Sequence, residues 1–205
     1  MAMPLARENP FRSMRAGFAA VALLFTCGIG ADPFSAAAQN FPRANEIVAP
    51  QTYVSLAPVP CGREFEIAVV AKITKGFHVN AHMPSLEYLI PTKVAAELPQ
   101  GFMQISDSYP AGVMRSFKFS SEKLRVYEGS FIVKMKLKAA DDAPLGALKL
   151  PLTISYQACN EEACLPPAKV STIAELDIAA AGAPARAMHP EIFSAPPQPA
   201  ALSHH

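Results

Sequence analysis

The chain has 205 residues, 17% of them charged, and a formal net charge of +1. That length allows one domain of ordinary size with segments to spare. The near-neutral balance, without any basic block, excludes nucleic acid or an acidic membrane surface as the main partner. The 20 prolines argue against long helices.

In chain order, residues 1–38 read as an export signal. Arg7, Arg12 and Arg15 precede the apolar run AGFAAVALLFTCGIG, and the small-residue site Ala36-Ala37-Ala38 stands before Gln39. Cleavage is expected after Ala38. The run is short for a hydrocarbon core of ~30 Å, which favours a removed signal over a retained anchor. Cys27 falls inside this segment and follows Thr26, where a lipid-attachment site calls for a smaller residue, so it is set aside. No later stretch is long and apolar enough to span a bilayer, so the mature protein is expected in an oxidising, periplasmic or otherwise extracytoplasmic space.

Residues 39–50 are mixed and contain Pro, and are expected to form a linker. Residues 51–178 carry the domain. Within it Phe65, Ile67, Val69, Ala71 and Ile73 alternate with Glu64, Glu66 and Lys72, the period of a half-buried strand. Phe131, Val133, Met135 and Leu137 do the same against Lys134, Lys136 and Lys138, which read as a solvated strand face. Leu148, Leu150, Leu152, Ile154 and Tyr156 form a third such run, and Val170, Ala174, Leu176 and Ile178 a fourth with Thr172 as its weak position. Shorter candidates lie at Tyr53 to Leu56, Tyr88 to Leu98, Phe102 to Ile105 and Phe117 to Phe119, separated by turn-forming Pro, Gly, Asp and Ser. About seven or eight short antiparallel strands, each with one polar face, predict an all-β, immunoglobulin-like two-layer sandwich. Residues 179–205 are Ala/Pro-rich and expected to be disordered.

Between the third and fourth runs stands YQACNEEACLPP, Tyr156 to Pro167. Cys159 and Cys164 flank a short loop that could close a hairpin, and hairpin partners suit the ~5.5 Å Cα spacing of a disulfide. Two readings stay open. As a staple the pair is weak, because closing a loop of about six residues yields roughly 2 kcal/mol, against about 4.7 for a loop of 100. As a redox couple it is well placed, since a partner thiolate has to reach one sulfur in line with the bond. Glu161 and Glu162 disfavour a thiolate, which suggests a dithiol that waits for a partner rather than a self-activated nucleophile. A zinc site lacks a second pair of ligands.

His78 and His82 are four apart, which on a strand puts their Cα atoms about 13 Å apart, too far for one ion unless the chain turns. They read as polar residues at a strand end or loop, and no metal is expected. Cys61 is left as an odd thiol in a Pro-Gly turn. No Ser-His-Asp order, phosphate loop or paired carboxylates stand out, and no cofactor is expected.

The cysteine segment resembles the active-site segment of the periplasmic N-terminal domain of the thiol:disulfide interchange protein DsbD. GFHVNAHMPSLEYLIPTKV and FKFSSEKLRVYEGSFIVKMKL are similar to that domain family as well, so the resemblance runs from about Val54 to Ile178. It implies an immunoglobulin-like sandwich that relays reducing equivalents from a thioredoxin-like domain or membrane electron transducer to extracytoplasmic protein disulfides. The transducer is expected to be a separate protein. It also implies that Cys164 forms the mixed disulfide and Cys159 resolves it, that Phe117 or Phe119 caps the sulfurs, and that Tyr127 and Tyr156 support the site by packing. The contrasting expectation is a non-catalytic binding module whose disulfide shapes one loop.

Overall fold

The computed structural model describes residues 42–194. The export signal, its cleavage site and Cys27 lie outside the described residues. The strands are β1 (Val48–Val54), β2 (Leu56–Ala57), β3 (Val59–Pro60), β4 (Glu64–Ile73), β5 (His78–Asn80), β6 (Lys93–Ala96) and β7 (Phe102–Ser108). They continue with β8 (Val113–Arg115), β9 (Leu124–Glu128), β10 (Ser130–Ala139), β11 (Gly146–Tyr156), β12 (Ala158–Cys159), β13 (Ala168–Ala179) and β14 (Arg186–Ala187). Two single-turn helices, α1 (Ala44–Ile47) and α2 (Pro190–Phe193), flank them.

Two sheets form an immunoglobulin-like sandwich, one ordered β1-β4-β10-β7 and the other β3-β13-β11-β6. All their pairings are antiparallel except the short β3–β13 contact. The four long alternating runs in the sequence are β4, β10, β11 and β13. Their inward positions, among them Phe65, Ile67, Val69, Phe131, Val133, Met135, Leu152, Ile154 and Leu176, make one shared core. Burying each such large side chain contributes about 1.5–3 kcal/mol, which sets the register: a one-residue slip would expose a whole row.

The structure departs from expectation at the weaker elements. Sheet pairing begins at Val48, inside the stretch read as a linker, because Ile47 and Val48 are buried against the core. Past residue 179, β14 pairs with β2, and the Lys134 ammonium donates to the Phe193 carbonyl of α2. The lysine face of β10 is therefore partly covered, and Lys136 is ion-paired with Glu64 at 2.6 Å. Of Tyr88 to Leu98 only β6 is strand, and Phe117 to Phe119 is a turn.

A third sheet, ordered β12-β5-β9-β8, was not foreseen as such. One face of it, with Val79, Ala81, Tyr127 and Ala158, packs into the main core. Gly129, at φ 65°, makes the abrupt turn that sends the chain from β9 in this sheet to β10 in the sandwich. The sheet that carries Cys159 is thereby packed on the sandwich by one face, and its other face looks away from the main core.

Candidate functional site

The segment joining β11 to β13 leaves the ladder at the Tyr156–Ala168 pair and folds back on itself. The Leu165 amide donates to the Ala158 carbonyl at 2.8 Å and the Asn160 amide to the Ala163 carbonyl at 3.0 Å. Cys159 and Cys164 therefore face each other across a miniature hairpin. Its tip is fixed by Asn160, whose Oδ1 accepts from the amides of Glu162 at 2.9 Å and Ala163 at 2.8 Å. The sulfurs are bonded, with Cα atoms 3.9 Å apart, closer than the ~5.5 Å expected of hairpin partners.

The two cysteines differ in access. Cys159, paired into the third sheet through β12, is 0% exposed, whereas Cys164 on the returning arm is exposed to solvent. A chain of side-chain amides ties this arm down: Asn80 donates to Ile90 O at 3.1 Å and to Gln157 Oε1 at 3.3 Å, and Gln157 donates to Leu165 O at 3.2 Å.

Strand alternation sorts the third sheet into two faces. Val79, Ala158 and Tyr127 point to the main core. Cys159, His78 and Glu128 occupy directly opposed positions on three successive strands, so their side chains emerge on the other face in one row. Arg115 on β8 closes the row, its guanidinium donating twice to Glu128 Oε2 at 2.8 and 2.9 Å. The Glu128 carboxylate, and to a smaller degree Glu161 in the cysteine loop, pushes Arg115 further toward its charged form.

This face is roofed by a small apolar cluster of Leu89, Phe117, Leu124 and Val126. The Phe117 ring stacks on the His78 imidazole with centroids 4.0 Å apart, and Phe119 stacks outside Phe117 at 5.3 Å. Phe117 is buried and Phe119 is 38% exposed, so the pair forms a two-ring stack over the row that begins at Cys159. His78 is itself buried, and burial lowers its pKa to about 4 against a weaker opposing pull from Glu128. Its Nε2 makes no hydrogen bond with any described residue.

Tyr127 and Tyr156 both lie in the main core. Tyr127 receives the His82 amide and donates to the Pro110 carbonyl at 3.0 Å. His82 does not share the row of His78. It stacks on Tyr109 at 3.6 Å, and its Nδ1 lies 3.0 Å from the Thr92 carbonyl oxygen. Cys61 is buried in the main core with its thiol 3.5 Å from the Ala143 carbonyl. Sequence reasoning singled out both cysteines and the phenylalanines and placed His78 at a strand end or loop, where it opens β5, but did not single out Glu128, Arg115, Asn80 or Gln157. No local spacing could have shown the row, because it draws on segments far apart in the chain.

Among solved structures, the chain is similar to the reduced N-terminal domain of DsbD from Neisseria meningitidis, at 16% identity and a TM-score of 0.41, over 72% of this chain and 94% of that one. It is similar to the N-terminal periplasmic domain of ScsB from Proteus mirabilis at 11% identity and a TM-score of 0.44, over 67% of this chain and 49% of that one. No curated protein matches it. The family profile described as thiol:disulfide interchange protein DsbD, N-terminal, matches residues 44–175, more than half of the chain and the whole span that bears the cysteine row. The chain belongs to this family of DsbD N-terminal domains, and so to proteins of thiol–disulfide interchange.

Proposed function

We propose that the domain relays reducing equivalents through the Cys159–Cys164 pair, accepting them from a thioredoxin-like protein or membrane electron transducer and passing them to protein disulfides in the periplasm or another extracytoplasmic space. The unequal exposure of the two sulfurs carries this reading. A partner thiolate attacks the open Cys164 Sγ, the disulfide breaks, and its electron pair leaves on Cys159; attack by a second partner thiolate on the mixed disulfide then completes reduction of the pair. In the delivering direction Cys164 attacks a client disulfide, and Cys159 displaces the client thiolate from Cys164. A bond that closes so small a loop adds only about 2 kcal/mol as a staple, which suits a bond that opens in use. The Phe117–Phe119 stack shields the pair between encounters.

Trapping tests the assignment. With Cys61 replaced by Ala, the Cys159→Ser variant is expected to accumulate a stable mixed disulfide with a thioredoxin-like protein that keeps only its exposed cysteine, activated as an aromatic mixed disulfide, because neither protein then holds a second thiol to resolve it. The Cys164→Ser variant, left with a buried thiol, is expected to form little. Equal trapping by both variants would refute the division of labour. Trapping by neither would favour a binding module in which the disulfide only shapes a loop.

A further inference from the structure

Beyond the sulfurs, the third sheet presents Cys159, His78 and Glu128 side by side on its covered face. We propose, resting on the exchange reading above, that His78 is the proton acceptor and donor for the buried Cys159 sulfur, with Glu128 supporting the imidazole from the opposite side.

The need comes from burial. Cys159 is 0% exposed, and a thiol in apolar surroundings resists ionisation, yet only the thiolate can attack. The same face of the sheet carries the apolar cluster of Leu89, Phe117, Leu124 and Val126, with Phe117 stacked on His78. His78 stands directly opposite in the ladder, where side chains lie about 4.5–5.5 Å apart at Cβ. Its Nε2 is buried and makes no hydrogen bond with any described residue. A polar atom left so is costly, on the order of 1–3 kcal/mol, and its position on the residue opposite Cys159 asks for a use.

The surrounding charges fit. From β9, Glu128 faces His78 and favours its protonated form, while Arg115 of β8 holds that carboxylate in an ion pair. Glu161 in the cysteine loop acts on Arg115, and Lys118, on the turn that carries Phe117, is exposed. Burial keeps the ring neutral at neutral pH, with its pKa pushed down to about 4, so a free lone pair is available while the disulfide is closed. When the neighbouring sulfur becomes negative, the imidazolium gains a partner of opposite charge in a site of low dielectric. Phe117, stacked at 4.0 Å, fixes the plane of the ring.

In the delivering direction Cys164 is bonded to a client sulfur. The Cys159 proton passes to His78, the Cys159 thiolate attacks Cys164 Sγ, and the Cys159–Cys164 bond forms as the Cys164–client bond breaks. The electron pair departs on the client sulfur, and the proton leaves His78 for that sulfur or for solvent. The cysteine pair loses two electrons and the client disulfide gains two, so atoms and charge balance. In the receiving direction the same steps run backwards: His78 takes up the proton that the incoming partner thiol gives up, directly or through solvent, and passes it to the departing Cys159 thiolate.

The test follows the reaction of the reduced protein, in a Cys61→Ala background, with Ellman's aromatic disulfide. A first release of chromophore reports attack by Cys164, and a second reports ring closure by Cys159. His78→Phe retains an aromatic ring for Phe117 but removes both nitrogens. The expected result is an unchanged first phase and a second phase slowed about a hundredfold at neutral pH, rising tenfold per pH unit where the wild type is flat. A second phase equal in rate and slope to wild type would overturn the role of His78. Absence of both phases in the wild type would instead defeat the exchange reading. Should the variant fail to fold, the ring-nitrogen resonances of His78 in the wild type decide. They are expected to shift as Cys159 ionises in the reduced protein, and their indifference to that ionisation would overturn the proposal.

Discussion

At the scale of single residues, the site depends on side chains whose surroundings set their access and charge. Phe117 is the inner ring of the stack and Phe119 the outer. Phe117→Ala should therefore speed reduction of the disulfide by a small thiol, by about tenfold if ~1.4 kcal/mol of shielding is lost, and Phe119→Ala by less. Equal rates in both variants and wild type would reject the cap. His78 links the site to stability. Its pKa falls from the ordinary 6.5 to about 4 on folding, so below 6.5 the unfolded chain binds a proton that the native protein refuses. Stability from this group is complete above pH 6.5 and is lost as pH falls toward 4, by up to about 3 kcal/mol. Urea unfolding of wild type and His78→Phe across that range should show the slope in the wild type and not in the variant. A matching slope in both would assign it to other groups.

At the scale of elements, legibility in the sequence followed the length of a strand and whether one of its faces meets solvent. β4, β10, β11 and β13 each alternate over ten or more residues and were readable directly. β5 was not, because His78, Val79 and Asn80 are all buried, one face against the core and one under the Phe117 roof, so no polar period marks it. In RSFKFSS the spacing of Phe117 and Phe119 imitates a strand, yet both rings stack toward His78 from a turn. The cysteine hairpin depends on Asn160, whose side chain takes up two amides of the tip. Asn160→Ala should remove about 1 kcal/mol of local order, seen as faster amide exchange across 158–165 with little effect on global unfolding. Unchanged exchange there would mean the disulfide alone fixes the loop.

At the scale of the whole molecule, the sandwich holds the main core and the third sheet carries Cys159. The core fills from both large sheets, so truncating Phe131, buried in it, is expected to cost about 3–5 kcal/mol. Opening the disulfide is a smaller event, about 2 kcal/mol or roughly 4–8 °C in melting temperature for a domain of this size. The reduced protein should keep its fold, as near-ultraviolet dichroism of reduced and oxidised samples would show; collapse on reduction would mark the bond as structural.

The equilibrium reduction potential of the Cys159–Cys164 pair tests the central claim most directly. It is measured by titrating the protein against a thiol buffer and trapping both forms for mass spectrometry. A relay predicts a value between about −180 and −270 mV, in the range of thiol couples that turn over. A value below about −300 mV would contradict it, because a disulfide that resistant to reduction serves structure rather than exchange.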